Sequence, residues 1–162
     1  MVEKRAELNF TSRWGGDWKA CTFFNRATGD ETMALVKGKI DPEGETLVRM
    51  HSLSMFADAF GEVSDRSDIL HRSMEIIGEH GSGVIVVING PMLGMMTRTM
   101  EIKSQVREGK PAPIEELRDY GVGAQILAEL GVHHMVLLTN THHSLVALEG
   151  YGLSINGERP ID

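Results

Sequence analysis

Residues 69–89 read ILHRSMEIIGEHGSGVIVVIN. Ile69, Leu70, Met74, Ile76 and Ile77 recur at roughly helical spacing, so the first half predicts a helix with one apolar face. Gly81, Ser82 and Gly83 end it, because glycine enters the left-handed conformations that close helices without a Cβ clash. The run 83–89 (GVIVVIN) is β-branched and has no polar alternation, the pattern of a strand buried on both faces in a parallel sheet. A helix feeding straight into such a strand is a unit of layered α/β architecture.

Toward the N-terminus the pattern is β. Segments 4–11, 17–25 and 31–37 mix or alternate apolar and polar residues, separated by the turn signals Gly15-Gly16 and Thr28-Gly29-Asp30. Asp41-Pro42-Glu43-Gly44 is a further turn, and 46–51 (TLVRMH) a fourth strand. Toward the C-terminus, residues 95–106 predict a helix, Lys110-Pro111-Ala112-Pro113 breaks it, and 114–130 predicts another, stopped by Gly131. Gly121 and Gly123 weaken that helix intrinsically, which points to close backbone packing there. Residues 134–138 predict a buried strand, 142–149 a short helix and 153–156 a last strand. The expectation is one mixed α/β (α+β) domain over residues 1–162, β-rich first and alternating later. Ligands of open α/β sheets bind beyond the carboxyl ends of strands, so the loops after His51, Asn89 and Leu138 are the candidate site.

Composition narrows the partners. The net charge is −7, from 23 acids against 16 bases, which disfavours nucleic acid or an anionic membrane as a bulk partner. No apolar run approaches the 18 or more residues that span a bilayer, and MVEKRAELNF lacks the apolar core of a signal peptide. Cys21 is the only cysteine, so neither an internal disulfide nor a cysteine-built zinc site is available, and a cytoplasmic location is expected.

Residues 117–127 (LRDYGVGAQIL), continuing to Glu129-Leu130-Gly131-Val132, closely resemble the corresponding run of GTP cyclohydrolase II. Residues 136–140 (VLLTN), 148–153 (LEGYGL), 34–38 (ALVKG) and 47–52 (LVRMHS) extend the likeness in order and spacing over nearly the whole chain. The resemblance implies that family's mixed sheet, a homodimer, and one site per subunit at which the imidazole ring of GTP is opened by a zinc ion on three cysteines.

The same resemblance exposes losses. The family's zinc motif, C-x10-C-x-C beginning three residues after a histidine, is here Ser54, Asp65 and Ser67 after His51. Two hydroxyls and one carboxylate suit zinc poorly, since it favours thiolate and imidazole. Asp65 with oxygen neighbours leaves a weak Mg²⁺ site as the remaining metal option, and a helix cap over residues 64–67 as the structural one. The family's R-Q-E-G-R run after the central strand becomes Ile88-Asn89-Gly90-Pro91-Met92-Leu93-Gly94, shorter and without its arginines and glutamate. The acid of H-S-E-C becomes Leu53, Ile102 stands where the family has a tyrosine, and the N-P-basic pattern after Asn140 becomes Thr141-His142-His143-Ser144.

Other positions are kept. Arg118 matches the arginine that engages the α-phosphate in the family, with Glu116 two residues before it, and Arg49, His51, Thr139 and Asn140 match as well. A guanidinium binds phosphate or carboxylate through two parallel hydrogen bonds, although Arg118 can equally pair with Glu115, Glu116 or Asp119 on its own helix. His142 and His143 lie beside the expected pocket and titrate near neutrality, whereas His133 and His134 alternate across a strand. Ser64, Asp68, His71 and Glu75 fall on one helical face, read as solvated. Met92, Met95, Met96 and Met100 gather near the altered loop, as core filling or as the wall of a less polar pocket.

The expected function is a zinc-independent, cofactor-free enzyme of this superfamily acting on a small anionic or heterocyclic, nucleotide-derived substrate. Its expected reaction is hydrolytic C–N cleavage in a specialised biosynthetic pathway. The candidate catalytic residues are Arg118, Glu116, Asp65 and His142. Arg49, His51, Ser54, Ser67, Asn89, Met92, Thr139 and Asn140 are the candidate substrate-binding residues, and no metal ligand is assigned. The alternative is a non-catalytic ligand-binding or regulatory protein. Losing four or five charge-assisted hydrogen bonds, each worth roughly 1.5–3 kcal/mol, argues against GTP itself.

Overall fold

A computed structural model describes residues 2–88, 93–111, 116–141 and 151–162, with residues 116–119 described by backbone alone. Strands β1 (Val2–Ser12), β2 (Gly16–Asn25), β3 (Glu31–Lys37) and β4 (Glu45–Ser52) come first. A single π-helical turn (Met55–Ala59) leads to helix α1 (Ile69–His80) and strand β5 (Gly83–Ile88). Helices α2 (Met95–Arg107) and α3 (Glu116–Glu129) and strands β6 (His134–Leu138) and β7 (Ser154–Arg159) complete the order. The seven strands form one mixed sheet, β1-β2-β3-β5-β4-β6-β7. β1 to β3 and the β3/β5 pair are antiparallel, while β4/β5, β4/β6 and β6/β7 are parallel.

β5 is as buried as its sequence demands, but it is parallel to β4 alone and runs antiparallel to β3. Burial on both faces left that pattern without information on neighbour direction. The period-2 alternation of the central strands divides two cores. Val48, Met50, Val84 and Val86 face Ala124, Ile126 and Leu127 of α3, while Leu47 and Ile85 face Met74, Ile76 and Ile77 of α1. Complete burial of each such aliphatic side chain stabilises by about 1.5–3 kcal/mol.

α1 starts at Ile69, later than the serines that were read as its cap. Ser64 Oγ accepts from the Arg66 amide, and Ser67 Oγ accepts from the Ser64 amide and donates to the Glu62 carbonyl, so these hydroxyls close the preceding turn. The residue before the helix, Asp68, holds the cap position in the left-handed region at φ 61°. Of the face read as solvated, His71 stacks on Trp14 with ring centroids 3.6 Å apart.

The two α3 glycines also separate. A Cβ on Gly121 would meet open space, whereas one on Gly123 would meet the Met50 side chain at 2.1 Å and Val86 beyond it. The close packing is therefore at Gly123, and it is against side chains rather than backbone. The final strand is longer and later than expected, and the expected 142–149 helix lies outside the described residues. Among the described residues no helix is long and apolar enough to cross a membrane.

Candidate functional site

β4 is central to the parallel half of the sheet, and its carboxyl end opens into a cleft of about 430 Å³. Arg49, Met50 and Ser52 of β4 line it together with Asp65, Arg66 and Ile69 from the approach to α1. Tyr120 of α3, residues 137–141 at the end of β6, and Ile161 complete the wall. The loops after β4 and β6 thus meet where strand order predicted a site. The third loop, with Asn89 and Met92, lies outside the described residues, as does His142.

Arg49 and His51 share one face of β4 because side chains two apart point the same way. His51 is 1% exposed. Its Nδ1 accepts from Arg49 Nε at 3.3 Å, which leaves the proton on Nε2, directed at Asp58 Oδ2 2.8 Å away. The same carboxylate oxygen accepts from the Ser54 amide at 2.8 Å. Burial holds the imidazole pKa below its ordinary value, and Asp58 only partly offsets that. Burial pushes the Asp58 carboxyl up, but the bonds from His51 and the Ser54 amide together carry it below the usual carboxylate range. The result is a neutral imidazole on an ionised carboxylate, with both ring nitrogens engaged. Arg49 is held further by an Nη1 bond to the Leu138 carbonyl at 3.2 Å, so the network fixes a guanidinium on the cleft wall.

Asp58 was not singled out by sequence reasoning. It sits in the π-helical turn, whose wide i to i+5 closure has no period that a helical or strand pattern detects. The signal was a lone acid seven residues after a histidine, too common to choose. Arg66 was missed too, being read only as part of a cap.

The candidate zinc positions are occupied by structural work. Ser54 Oγ accepts from the Ala57 amide at 3.3 Å as the cap of the π-helical turn, and Ser67 Oγ is bound between Ser64 and Glu62. Of the three, only Asp65 lines the cleft. Among the described residues no three His, Cys, Asp or Glu side chains converge, and Cys21 is buried in the core of β2. This donor set does not fit zinc.

Thr139 and Asn140 line the cleft but have internal partners. Thr139 Oγ1 donates to the Thr141 carbonyl at 2.9 Å. Both ends of the Asn140 amide clamp the backbone of Ile161, at 2.9 and 2.7 Å. Glu116 and Arg118 lie on the first turn of α3, whose Tyr120 reaches the cleft; their side chains are outside the described set. Met96 and Met100 are 68% and 62% exposed on α2 and do not line the cleft, so no methionine wall is formed by that helix.

The profile of the GTP cyclohydrolase II family matches residues 3–160, and the chain belongs to that family. The monofunctional riboflavin biosynthesis protein RIBA 2 of Arabidopsis thaliana, a chloroplastic protein, is 39% identical over 99% of this chain and 34% of its own length. The riboflavin biosynthesis proteins RibBA of Phocaeicola vulgatus and Bacillus subtilis are 36% and 35% identical, over 42% and 43% of their lengths. The chain therefore spans between a third and just over two fifths of these relatives. A solved structure of RibBX, a two-domain 3,4-dihydroxy-2-butanone 4-phosphate synthase from A. baumannii, shares the fold at TM-score 0.60 and 24% identity, over 99% of this chain and 40% of that one.

Proposed function

We propose that this chain is a zinc-independent member of its family that binds a small anionic, nucleotide-derived metabolite in the cleft between β4, β6 and α3. The observation that carries this reading is the use of Ser54 and Ser67 as internal caps beside an arginine-lined cleft. A decayed site would be expected to lose both the metal residues and the cleft. Hydrolytic C–N cleavage, the reaction type of the family, would then depend on a side chain to activate water, and Asp65 is the described carboxylate on the cleft wall. The proposed setting is biosynthetic, in keeping with relatives named for riboflavin biosynthesis, and the cytoplasm is the proposed compartment although the Arabidopsis relative is chloroplastic.

A non-catalytic, ligand-sensing role is favoured by one specific observation. His51 has both nitrogens engaged, so this buried imidazole, bonded to Arg49 of the cleft wall, is not free to shuttle protons. The two readings separate in metal-stripped protein incubated with guanosine nucleotides and their ring-opened derivatives. Turnover that Asp65→Ala reduces at least tenfold supports the enzyme. Saturable binding without turnover supports the sensor. If metal-stripped protein neither binds nor turns over, and zinc restores activity, zinc independence is wrong.

The homodimer implied by the family is part of this proposal. Leu93, Met96, Met100 and Val106 are exposed large apolar residues on or next to α2, and that helix buries no residue in the single chain. Such a face is the kind that a second copy covers.

A further inference from the structure

We propose that Arg66 contacts the ligand directly and, with Arg49, forms a two-guanidinium seat for a phosphoryl group at the mouth of the cleft. The inference rests on the reading of the cleft as a ligand site. The resemblance gives Arg66 no role, and the assignment comes from placement and hydrogen bonding alone.

Both guanidiniums line the same cleft, Arg49 on the wall and Arg66 at the exposed rim. Arg66 Nη2 donates to the Ser52 carbonyl at 3.0 Å, which turns its fork back over the end of β4. Arg49 donates to the Leu138 carbonyl and to His51 Nδ1. Every one of these acceptors is neutral. Among the described residues neither guanidinium is ion-paired with a carboxylate, although surface arginines such as Arg26 do find one. Asp58, whose carboxylate is buried, already accepts from His51 and the Ser54 amide.

Two like charges therefore share one cleft with no carboxylate in direct contact among the described residues, Asp58 acting on them only at longer range, and the repulsion is felt: burial first and Arg66 second hold the Arg49 pKa below its ordinary value. Such an arrangement is unfavourable on its own and becomes favourable around an anion. A guanidinium offers five N–H donors, and Arg66 commits one, so most of its fork remains for the ligand. Two positive charges match a dianionic phosphoryl group better than a single carboxylate. Tyr120 and Met50 supply apolar wall for the ring or sugar that carries it, while Asp65 in the same cleft directs the anionic end toward the arginines and accepts a donor from the other end.

The test is titration of metal-stripped protein with inorganic phosphate and, at matched ionic strength, acetate, read by calorimetry and thermal shift. Wild type should bind phosphate saturably and ignore acetate. Arg66→Ala should weaken phosphate by roughly ten- to a hundredfold, the loss of one charge-assisted contact. Arg66→Lys should recover part of it, and Arg107→Ala on α2 should change nothing. Arg66→Gln keeps a donor for the Ser52 carbonyl, so it separates loop integrity from charge: it should melt like wild type and still bind phosphate weakly. The proposal is overturned if Arg66→Ala binds phosphate like wild type, if wild type shows no saturable phosphate binding, or if acetate competes equally. If Arg66→Ala is silent but Tyr120→Ala or Asp65→Ala weakens binding of the nucleotide derivatives, the cleft reading survives and this seat does not. If no cleft variant alters any binding, the cleft reading itself fails.

Discussion

His51 couples stability to pH through its burial. Its folded pKa lies below the ordinary 6.5, so below that pH the unfolded chain takes up a proton that the buried ring resists. Stability is then fully present above about pH 6.5 and falls as pH drops from there, since the unfolded state binds more protons. The depressed Asp58 carboxyl adds a second loss, below its ordinary 3.8, as pH falls through its folded value. Urea midpoints should stay level between pH 7 and 8 and decline toward pH 5, with the decline flattened in His51→Gln. Asp58→Ala removes the acceptor for two donors, the imidazole Nε2–H and the Ser54 amide, and should destabilise by about 2–4 kcal/mol. Asp58→Asn, which keeps one acceptor, should lose less in the same urea titration. A wild-type midpoint for Asp58→Ala would mean that the pair holds nothing in place.

The π-helical turn, the β1–β2 turn and α1 show how elements are fixed by close approach. Gly78 of α1 faces Gly15, and a Cβ on Gly78 would lie 2.5 Å from the Gly15 Cα. Gly15 is itself at φ 80°, and a Cβ there would lie 2.5 Å from the Met74 carbonyl oxygen. By helix propensity alone Gly78→Ala should stabilise by about 1 kcal/mol. Because the obstruction is backbone, it should instead destabilise by about 1–3 kcal/mol, measurable as a lowered Tm. Gly123→Ala meets only the flexible end of Met50 and should be the milder change. Periodicity made most of these elements legible: β2, β3, β5, α1 and β6 fall within a residue or two of expectation, apart from the start of α1. The turn at Met55–Ala59 was not legible, since a five-residue π closure carries no repeat and is fixed by the Ser54 cap and the Asp58 bonds. The glycines could be seen as unusual, but whether each faced backbone, side chain or solvent depended on elements distant in the chain.

At the scale of the whole molecule, the exposed α2 face proposed as the dimer contact and the absent thiolates give two further expectations. Wild type should run as the proposed dimer in light scattering and Met96→Glu with Met100→Glu should convert it to monomer, leaving the single-chain core unaffected because α2 buries nothing within it. Persistence of the dimer would place the contact elsewhere. Protein purified without chelator should contain well under one zinc per chain by elemental analysis, and chelation should leave its Tm unchanged. Stoichiometric zinc would contradict the reading of Ser54, Asp65 and Ser67.

Local chemistry was enough to predict most strands and helices, while the resemblance of ordered motifs gave the family and, with it, the replacement of the zinc thiolates. The elements follow from residue type and spacing, which act over a few residues and need no partner. The direction of β5 against β3, the burial of Asp58 under His51, the Asn140 clamp on Ile161 and the meeting of Arg49 with Arg66 were settled by the tertiary structure. Each joins side chains through a low-dielectric interior or across strands, where energy depends on distance and desolvation rather than on position in the chain.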